Sequence, residues 1–342
     1  MNWDFLNLSA DDRRIVLEQS ALRRNLSPVV LEKDFWVCWL LGVLFNSEFA
    51  DSLVFKGGTA LSKVFGLIQR FSEDIDLSLS PEFLGLPSPG ATSTQGAKWI
   101  ERAEAACGTA VRDRIKPVLE AAVRTALGQA PNGKWFEFSF DPSSKSPTLW
   151  FHYPSAQEPG FEYLRRAVKL ELGSLTDQHP VGRHPVRPWI ADTFPQVFTD
   201  WRCEVVALEV ERSFWEKATI LHAEHHRPAN KPIPDRYSRH YADTAALATD
   251  PKASLAIDRL DVLARVVAWK RRFFGSSWAT YETAKPGTLR LVPPMARLRN
   301  LRQDYVAMRD MYLGEPVPFD DVMDTLSTLE VRVNGGSMAR RR

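Results

Sequence analysis

The amino-acid sequence predicts an α+β fold in which a mixed β-sheet is flanked by helices and is followed by a C-terminal helical domain. Three observations support this prediction. Strand and helix patterns alternate through the first part of the chain, the patterns after about residue 205 are mostly helical, and 342 residues suffice for two or three domains. We therefore expect domains at 1–204 and 205–335, with a disordered tail at 336–342.

The composition is that of an ordinary globular protein, with 44% hydrophobic and 25% charged residues. The net charge of +2 neither requires nor excludes a nucleic-acid partner. Three widely spaced cysteines favour reduced thiols over a disulfide framework or a zinc site. The N-terminus does not have a signal-peptide pattern, and the apolar run at 35–45 is too short to span a bilayer. We expect a soluble, cytoplasmic protein that does not contact a membrane.

The first elements follow from local signals. Residues 9–49 predict two helices, because Ser9 is a good N-cap for the first and Pro28 lies near the start of the second. The second helix is apolar enough to be buried. A short strand, a helix and another strand are then predicted at 52–56, 59–67 and 74–80.

The middle of the chain begins with a predicted mobile loop at 81–95, because these residues are rich in Pro, Gly, Ser and Thr. The helical pattern of 97–127 is broken or kinked at Pro117. Strands are predicted at 135–140, 148–153 and 167–172. In the last of these, Lys169 and Glu171 alternate with apolar residues and share one face. Helices are predicted at 208–226, 236–248, 255–274, 293–312 and 318–333.

The chemistry is concentrated between Val54 and Ser80. Asp74 and Asp76 are spaced i and i+2, so on a strand both carboxylates point to one face, where their repulsion is relieved by a cation such as Mg²⁺. Gly57 and Gly58 end a strand and start a helix, which lets backbone amides approach an anion, and Thr59 adds a hydroxyl. Either feature alone is more often a turn or a solvated face. In the order strand, Gly-Gly-Thr, helix, strand, they predict a nucleotide site.

The stretch KGGTALSKVFGLIQRFSEDIDLSLS resembles the signature of the AbiEii-type nucleotidyltransferases, a toxin family of abortive-infection and toxin–antitoxin systems. That family belongs to the DNA polymerase β-like nucleotidyltransferase superfamily. Residues 30–45, 168–173, 211–221 and 239–247 are similar to further family blocks, so the resemblance covers about 30–250. At one position the chain departs from the family pattern, because His240 stands where an acid is expected.

The resemblance implies a role for each site residue. Gly57, Gly58 and Thr59 would hold the NTP triphosphate, and Asp74 and Asp76 would bind Mg²⁺ or Mn²⁺ as catalytic residues. Further candidates for nucleotide binding are Lys56, Arg70, Ser72 and Lys217.

The remaining candidates come from later blocks of the resemblance. Glu171 would complete the metal cluster or act as general base, and otherwise is a solvent-facing strand residue. Lys217 would neutralise phosphate, or only pair with neighbours on its helix. Asp243 would be an active-site acid. His222 and His226 lie one helical turn apart, as two metal ligands can, although two histidines on an exposed helix more often only face solvent.

By resemblance, the expected activity is Mg²⁺-dependent transfer of NMP from an NTP to RNA, with the tRNA 3′ end as the expected acceptor and blocked translation as the effect. An antitoxin protein is the implied partner. Two alternatives remain open: the same apparatus acting on a protein or small molecule, and a non-catalytic nucleotide-binding or interaction module.

Overall fold

The computed structural model describes residues 4–87, 96–130, 133–142, 144–157 and 165–335. The chain divides into two compact units. Unit 1 consists of the residues up to Val64 together with Phe71–Leu208, and unit 2 consists of Phe65–Arg70 together with the residues from Glu209 onward. The predicted tail at 336–342 and most of the predicted loop at 81–95 lie outside the described residues.

Unit 1 contains the strands. Their bounds are β1 Leu53–Lys56, β2 Ile75–Leu79, β3 Phe136–Phe140, β4 Pro147–Phe151, β5 Val168–Gly173, β6 Val181–Pro185 and β7 Glu204–Leu208. Its helices are α1 Asp4–Asn7, α2 Ala10–Arg24, α3 Pro28–Phe45, α4 Gly57–Lys63, α5 Gly96–Ala110, α6 Lys116–Leu127 and α7 Ile190–Thr193.

The strands form one mixed sheet in the order β3-β4-β5-β2-β1-β7-β6. The pairs β1/β7 and β2/β5 are parallel, and the other neighbouring pairs are antiparallel. One row across the centre of the sheet aligns Lys56 with Asp76, Asp76 with Glu171, and Glu171 with Thr148. Because directly paired residues project to the same side of a sheet, this row brings the predicted acids of two strands onto one face.

The core of unit 1 lies between α3 and the sheet. The helix α3 starts after Ser27, with Pro28 in its first turn, and packs against β5 and β7. It is buried around most of its circumference, so it carries large apolar side chains on several sides. Trp36 stacks on Tyr153 with ring centroids 5.6 Å apart, and Trp39 stacks on Phe151 at 5.8 Å. This aromatic layer packs α3 against β4 and the residues after it, beside the acid-bearing strand β5.

Unit 2 is helical. Its helices are α8 Val210–His225, α9 Ser238–Thr249, α10 Leu260–Phe273, α11 Met295–Ala307 and α12 Phe319–Val333. The helix α9 packs against α8, α11 and α12, and α8 also packs against α10. The short segment from Phe65 to Arg70 belongs to this unit, because Arg70 forms a β-bridge with Tyr312 and Leu313 N donates to Gln69 O at 3.0 Å.

The predicted α+β class is confirmed, with a mixed seven-stranded sheet among the described residues and a helical C-terminal region. Three local predictions differ from the structure. The helix predicted at 59–67 is α4 and ends at Lys63, because Gly66 has a φ of +66° that a helix cannot continue through. The kink expected at Pro117 is a π-helical segment at Val111–Ile115, which includes the carbonyl that the proline ring would contact.

The third difference is a pair of strands that the sequence analysis did not predict, β6 and β7. The helical region is predicted to begin at 205, with its first helix at 208, but Glu204–Leu208 is a strand that pairs in parallel with β1. The β6 segment VGRHP contains Gly and Pro, which suppress a strand signal. No helix in the described part of the chain is long and apolar enough to cross a lipid bilayer.

Candidate active site

Asp74 directly precedes β2 and Asp76 is its second residue, and both alternate with the fully buried Ile75 and Leu77. Burial of the Asp74 carboxyl, and then repulsion by Asp76, raise its pKa to about 6. Lys169 and Lys33 act in the opposite direction without cancelling this effect. The two carboxylates are therefore held together at an electrostatic cost that a bound cation would remove.

Gly57 is packed directly against this acidic pair. Its φ is +79°, a conformation that L side chains rarely adopt. A Cβ atom added at this position would lie 2.1 Å from Asp76 Oδ2. Glycine is thus required here for two reasons, the backbone conformation and the close approach of a carboxylate.

Thr59 connects the Gly-Gly turn to the segment before β2. Its side chain is fully buried, bonds the Ser72 hydroxyl at 2.9 Å, and donates to the backbone carbonyl of Asp74. Lys56 is the N-cap residue of α4 and is paired with Asp76 across β1 and β2. Residues 56–59, Ser72 and the two aspartates therefore form one local constellation within unit 1.

Glu171 is next to Asp76 in the strand register, but its carboxylate already has partners. Its Oε1 accepts from Ser144 Oγ at 3.0 Å and its Oε2 accepts from Lys169 Nζ at 2.9 Å. Lys169 also donates to Asp141 Oδ2 at 2.6 Å. Burial acts to lower the pKa of Lys169, but the hydrogen bonds to Asp141 and Glu171 outweigh it, so the pKa is raised and the ammonium stays charged.

The donor set suits a hard divalent cation in part. Asp74 and Asp76 offer carboxylate oxygens on one face, and the raised pKa of Asp74 indicates negative charge that a cation would stabilise. Among the described residues, no group of three or more His, Cys, Asp or Glu side chains converges as a metal site. The role of Glu171 as a third ligand stays a prediction, and it would require a rearrangement at Lys169.

Arg70, Lys217 and Asp243 form a second cluster, entirely within unit 2. The Asp243 carboxylate receives two hydrogen bonds from Arg70, at 2.8 and 2.7 Å, and one from Lys217 at 2.8 Å. Their exposed fractions are 4% for Arg70, 9% for Lys217 and 2% for Asp243. Burial alone would raise the pKa of Asp243, but the two cations hold it well below its usual range. Two buried cations therefore share the Asp243 carboxylate.

His240 lies on α9, three residues before Asp243. Its ring is 4.7 Å from that of Tyr237, centroid to centroid. Burial, and then the charges of Lys217 and Arg239, lower its pKa well below the ordinary value. The imidazole is thus neutral where the family pattern has an acid, and the cluster keeps more positive charge than an acid would leave.

A model of the family described as "Nucleotidyl transferase AbiEii toxin, Type IV TA system" matches residues 39–325, which is well over half of the chain. The chain belongs to the AbiEii nucleotidyltransferase toxin family. The matched range includes every site residue named above. A search of curated proteins finds no match.

Among solved structures, the chain is similar to MenT4, the nucleotidyltransferase toxin Rv2826c from Mycobacterium tuberculosis H37Rv. The two share 18% sequence identity, with a TM-score of 0.42, over 92% of this chain and 98% of the other. Membership of the AbiEii family makes the protein a nucleotidyltransferase toxin of a type IV toxin–antitoxin system, and it implies an NTP substrate and an antitoxin partner.

For this AbiEii protein the individual site roles remain predictions. The structure brings together Lys56, Gly57, Gly58, Thr59, Ser72, Asp74 and Asp76 in unit 1, with Glu171 on the adjacent strand. It brings together Arg70, Lys217 and Asp243 in unit 2. Both ring nitrogens of His222 already have hydrogen-bond partners, which does not favour the metal site considered above. Its Nδ1 accepts from Arg290 N at 3.0 Å, and its Nε2 contacts Thr283 Oγ1 at 3.1 Å.

Sequence reasoning missed a group of charged residues inside α3. Glu32, Lys33 and Asp34 are consecutive and buried, and each bonds a different segment of unit 1. Three adjacent charges in an otherwise apolar helix were a visible signal, because buried charges need partners. The partners themselves are 29 to 155 residues away along the chain, so no local pattern could identify them.

Proposed function

We propose that this toxin is a magnesium-dependent enzyme that transfers a nucleoside monophosphate from an NTP to RNA, with the 3′ end of tRNA as acceptor. The observation that supports this most directly is the contact between Gly57 and the carboxylate of Asp76, next to Asp74. It joins the predicted phosphate turn to the predicted metal ligands in one constellation. A plain structural turn would not need a glycine against a carboxylate.

The roles of the residues follow from their chemistry. Gly57 and Gly58 begin α4, where backbone N–H groups have no intrahelical partner and can donate to phosphate oxygens. Thr59 holds the carbonyl of Asp74, so that the turn and the acids keep a fixed spacing. Asp74 and Asp76 would hold the metal, and Mg²⁺ would supply charge neutralisation on the triphosphate and activation of the attacking hydroxyl.

The cluster in unit 2 supports an anionic substrate. Asp243 fixes the ammonium of Lys217 and the guanidinium of Arg70 in position, so that two buried cations share this carboxylate. A buried ammonium with a pKa lowered by its surroundings gains stability from an added anion. We assign Lys217 to phosphate neutralisation, with Asp243 as the acid that orients it and Arg70 as the second cation.

The decisive experiment incubates the purified protein with each labelled NTP in turn, Mg²⁺, and either total RNA or total protein, followed by sequencing of RNA 3′ ends. We expect label on RNA, added nucleotides at tRNA 3′ ends, loss of transfer on chelation, and recovery with Mg²⁺ or Mn²⁺. The Asp76→Ala protein is the control and should transfer nothing. Label appearing only on protein would reject the RNA acceptor while keeping the nucleotidyltransferase activity.

Expression in cells tests the biological consequence separately. Induction of the wild-type protein should arrest growth, and induction of Asp76→Ala should not. Equal toxicity of the two would show that nucleotidyl transfer is not the source of the effect.

A further inference from the structure

The buried helix α3 carries Glu32, Lys33 and Asp34 in succession, with exposed fractions of 3%, 2% and 2%. Consecutive residues on an α-helix point about 100° apart, since the helix has about 3.6 residues per turn. The three charged groups therefore point to three different sides of α3. Buried charges are costly unless they are paired, so each direction should contain a partner.

Two of the three residues contact segments other than the one that contains Asp74 and Asp76. Glu32 accepts from Ser155 Oγ and from Ala156 N, both at 2.6 Å. Asp34 accepts from Lys63 Nζ at 2.6 Å, at the last residue of α4, and from Trp189 N at 2.7 Å. These contacts connect α3 to the surrounding loops of unit 1.

Lys33 has a different kind of partner. Its ammonium donates to the carboxylate of Glu73 and to the backbone carbonyl of Arg165 at 2.9 Å. Glu73 immediately precedes Asp74, and Arg165 lies three residues before β5, the strand that carries Glu171. The Lys33 ammonium therefore contacts both the segment that leads into β2 and the segment that leads into β5.

Two residues, Thr59 and Lys33, therefore hold the segment before β2 by hydrogen bonds. Thr59 holds Ser72 and the Asp74 carbonyl, and Lys33 holds the Glu73 side chain that lies between them in sequence. The Glu73 side chain is only 25% exposed, so without Lys33 its charge would be poorly solvated and close to Asp74. Loss of Lys33 would both release the segment and add uncompensated negative charge beside the acidic pair.

We propose that Lys33 is a positioning residue for nucleotidyl transfer, which holds Asp74 through its ion pair with Glu73. This inference rests on the proposed function of Asp74 and Asp76. Lys33 acts through Glu73 in this scheme and does not contact the substrate. Its removal should therefore change turnover more than the apparent affinity for NTP.

The kinetic test compares four proteins at a temperature well below each melting temperature: wild type, Lys33→Met, Lys33→Met/Glu73→Gln and Glu32→Gln. We expect kcat to fall about 10-fold or more in Lys33→Met, since small misplacements of reacting groups have large effects on rate. KM for NTP should change less than kcat. The double variant should recover only part of the loss, because the unpaired carboxylate is gone but the ion pair that holds the segment is still absent. Glu32→Gln removes a buried charge from the adjacent position of the same helix, and its kcat should stay near the wild-type value.

Hydrogen exchange of the backbone amides at 72–76 gives a second measurement that needs no activity. These amides should exchange faster in Lys33→Met than in wild type or Glu32→Gln, and the double variant should be intermediate. Equal exchange in all four proteins would overturn the inference, and so would an unchanged kcat in a folded Lys33→Met. A rise in KM without recovery in the double variant would instead assign Lys33 to substrate contact. If wild type transfers no nucleotide, the proposed function fails, and hydrogen exchange alone decides whether Lys33 holds the segment.

Discussion

A Cβ atom at residue 57 would lie 2.1 Å from Oδ2 of Asp76, so the Gly-Gly turn and the acidic pair are in direct contact although they are 19 residues apart in sequence. The contact exists because Lys56 and Asp76 are paired across β1 and β2, which brings the start of α4 to the acid-bearing end of β2. The backbone conformation of Gly57 and the position of the Asp76 carboxylate therefore depend on each other. Measurements of nucleotidyl transfer and of stability can test what this contact contributes.

Replacement of Gly57 by alanine should strongly impair nucleotidyl transfer. The methyl group cannot share space with the Asp76 carboxylate, so the carboxylate must move, and a displacement of about 1 Å can lower turnover on the order of 100-fold. Steady-state transfer of labelled nucleotide is the measurement.

Gly66→Ala is the matched control for this substitution. Gly66 has a φ of +66°, similar to the +79° of Gly57, but an added Cβ would meet nothing within 4 Å. It should therefore cost about 1–2 kcal/mol of stability and leave transfer near the wild-type rate. Comparable losses of transfer in both variants would mean that backbone strain, and not the contact with Asp76, is responsible.

Asp74→Asn should inactivate the enzyme without destabilising it. Burial and repulsion by Asp76 raise the pKa of the Asp74 carboxyl, so neutralising it removes an unfavourable charge and should raise the melting temperature by a few degrees, about 2–4 °C for each kcal/mol gained. Transfer should fall on the order of 100-fold or more because the charge that binds the metal is gone. Thermal unfolding and the transfer assay on one preparation measure both effects.

Asp141→Asn provides the contrast in the same unit. Asp141 accepts from Lys169 at 2.6 Å, so its neutralisation removes a favourable interaction and should lower the melting temperature. If Asp74→Asn and Asp141→Asn shifted the melting temperature in the same direction, the repulsion inferred between Asp74 and Asp76 would be wrong.

The order β1, α4, β2 could be predicted because its signals are local. Gly57 and Gly58 separate an apolar strand from a helix, and the alternation that starts at Asp74 indicates a strand. The strand β6 could not be predicted, since VGRHP has little strand propensity and its position depends on pairing with β7, about 20 residues later. The end of α4 was placed four residues too late because Gly66 was not recognised as its stop signal.

Contacts within the site could be predicted only where the two residues lie close together in the sequence. The contact of Arg70 with Asp243 spans 173 residues, so sequence reasoning placed Arg70 near the β2 acids and could not identify its buried carboxylate partner. The charges at Glu32, Lys33 and Asp34 were visible in the sequence, but their meaning depends on partners in distant segments. Local chemistry was accessible, and long-range pairing was not.

The cluster of Arg70, Lys217 and Asp243 should separate stability from activity. In Lys217→Met the bidentate pair of Arg70 with Asp243 remains, and a buried ammonium is replaced by an apolar chain of similar length. Its free energy of unfolding should stay within about 1.5 kcal/mol of the wild-type value, while transfer falls on the order of 100-fold if Lys217 neutralises phosphate.

Asp243→Asn should show a much larger loss of stability. It leaves Arg70 and Lys217 buried without a counter-charge, which costs about 3–5 kcal/mol in comparable sites. Urea unfolding of both variants, beside the transfer assay, measures the two quantities. A Lys217→Met protein as unstable as Asp243→Asn would contradict the view that the bidentate pair with Arg70 is enough to compensate the charge of Asp243.

The stability of unit 2 should fall as the pH drops from 6.5 to about 4, and His222 should account for part of the fall. Burial, and then the neighbouring His226, lower the pKa of His222 from 6.5 to about 4. Because Nδ1 accepts a hydrogen bond from Arg290 N at 3.0 Å, protonation there would break a contact that the folded state needs.

Between the two pKa values the unfolded chain binds the proton and the folded chain does not, so the free energy of unfolding decreases as the pH falls. Each pKa unit is worth about 1.4 kcal/mol, which makes the full contribution about 3 kcal/mol. Urea unfolding at a series of pH values, for wild type and His222→Gln, measures it: the variant should be less stable at pH 7 and should lose less stability on acidification, whereas two parallel curves would show that His222 does not titrate in this window.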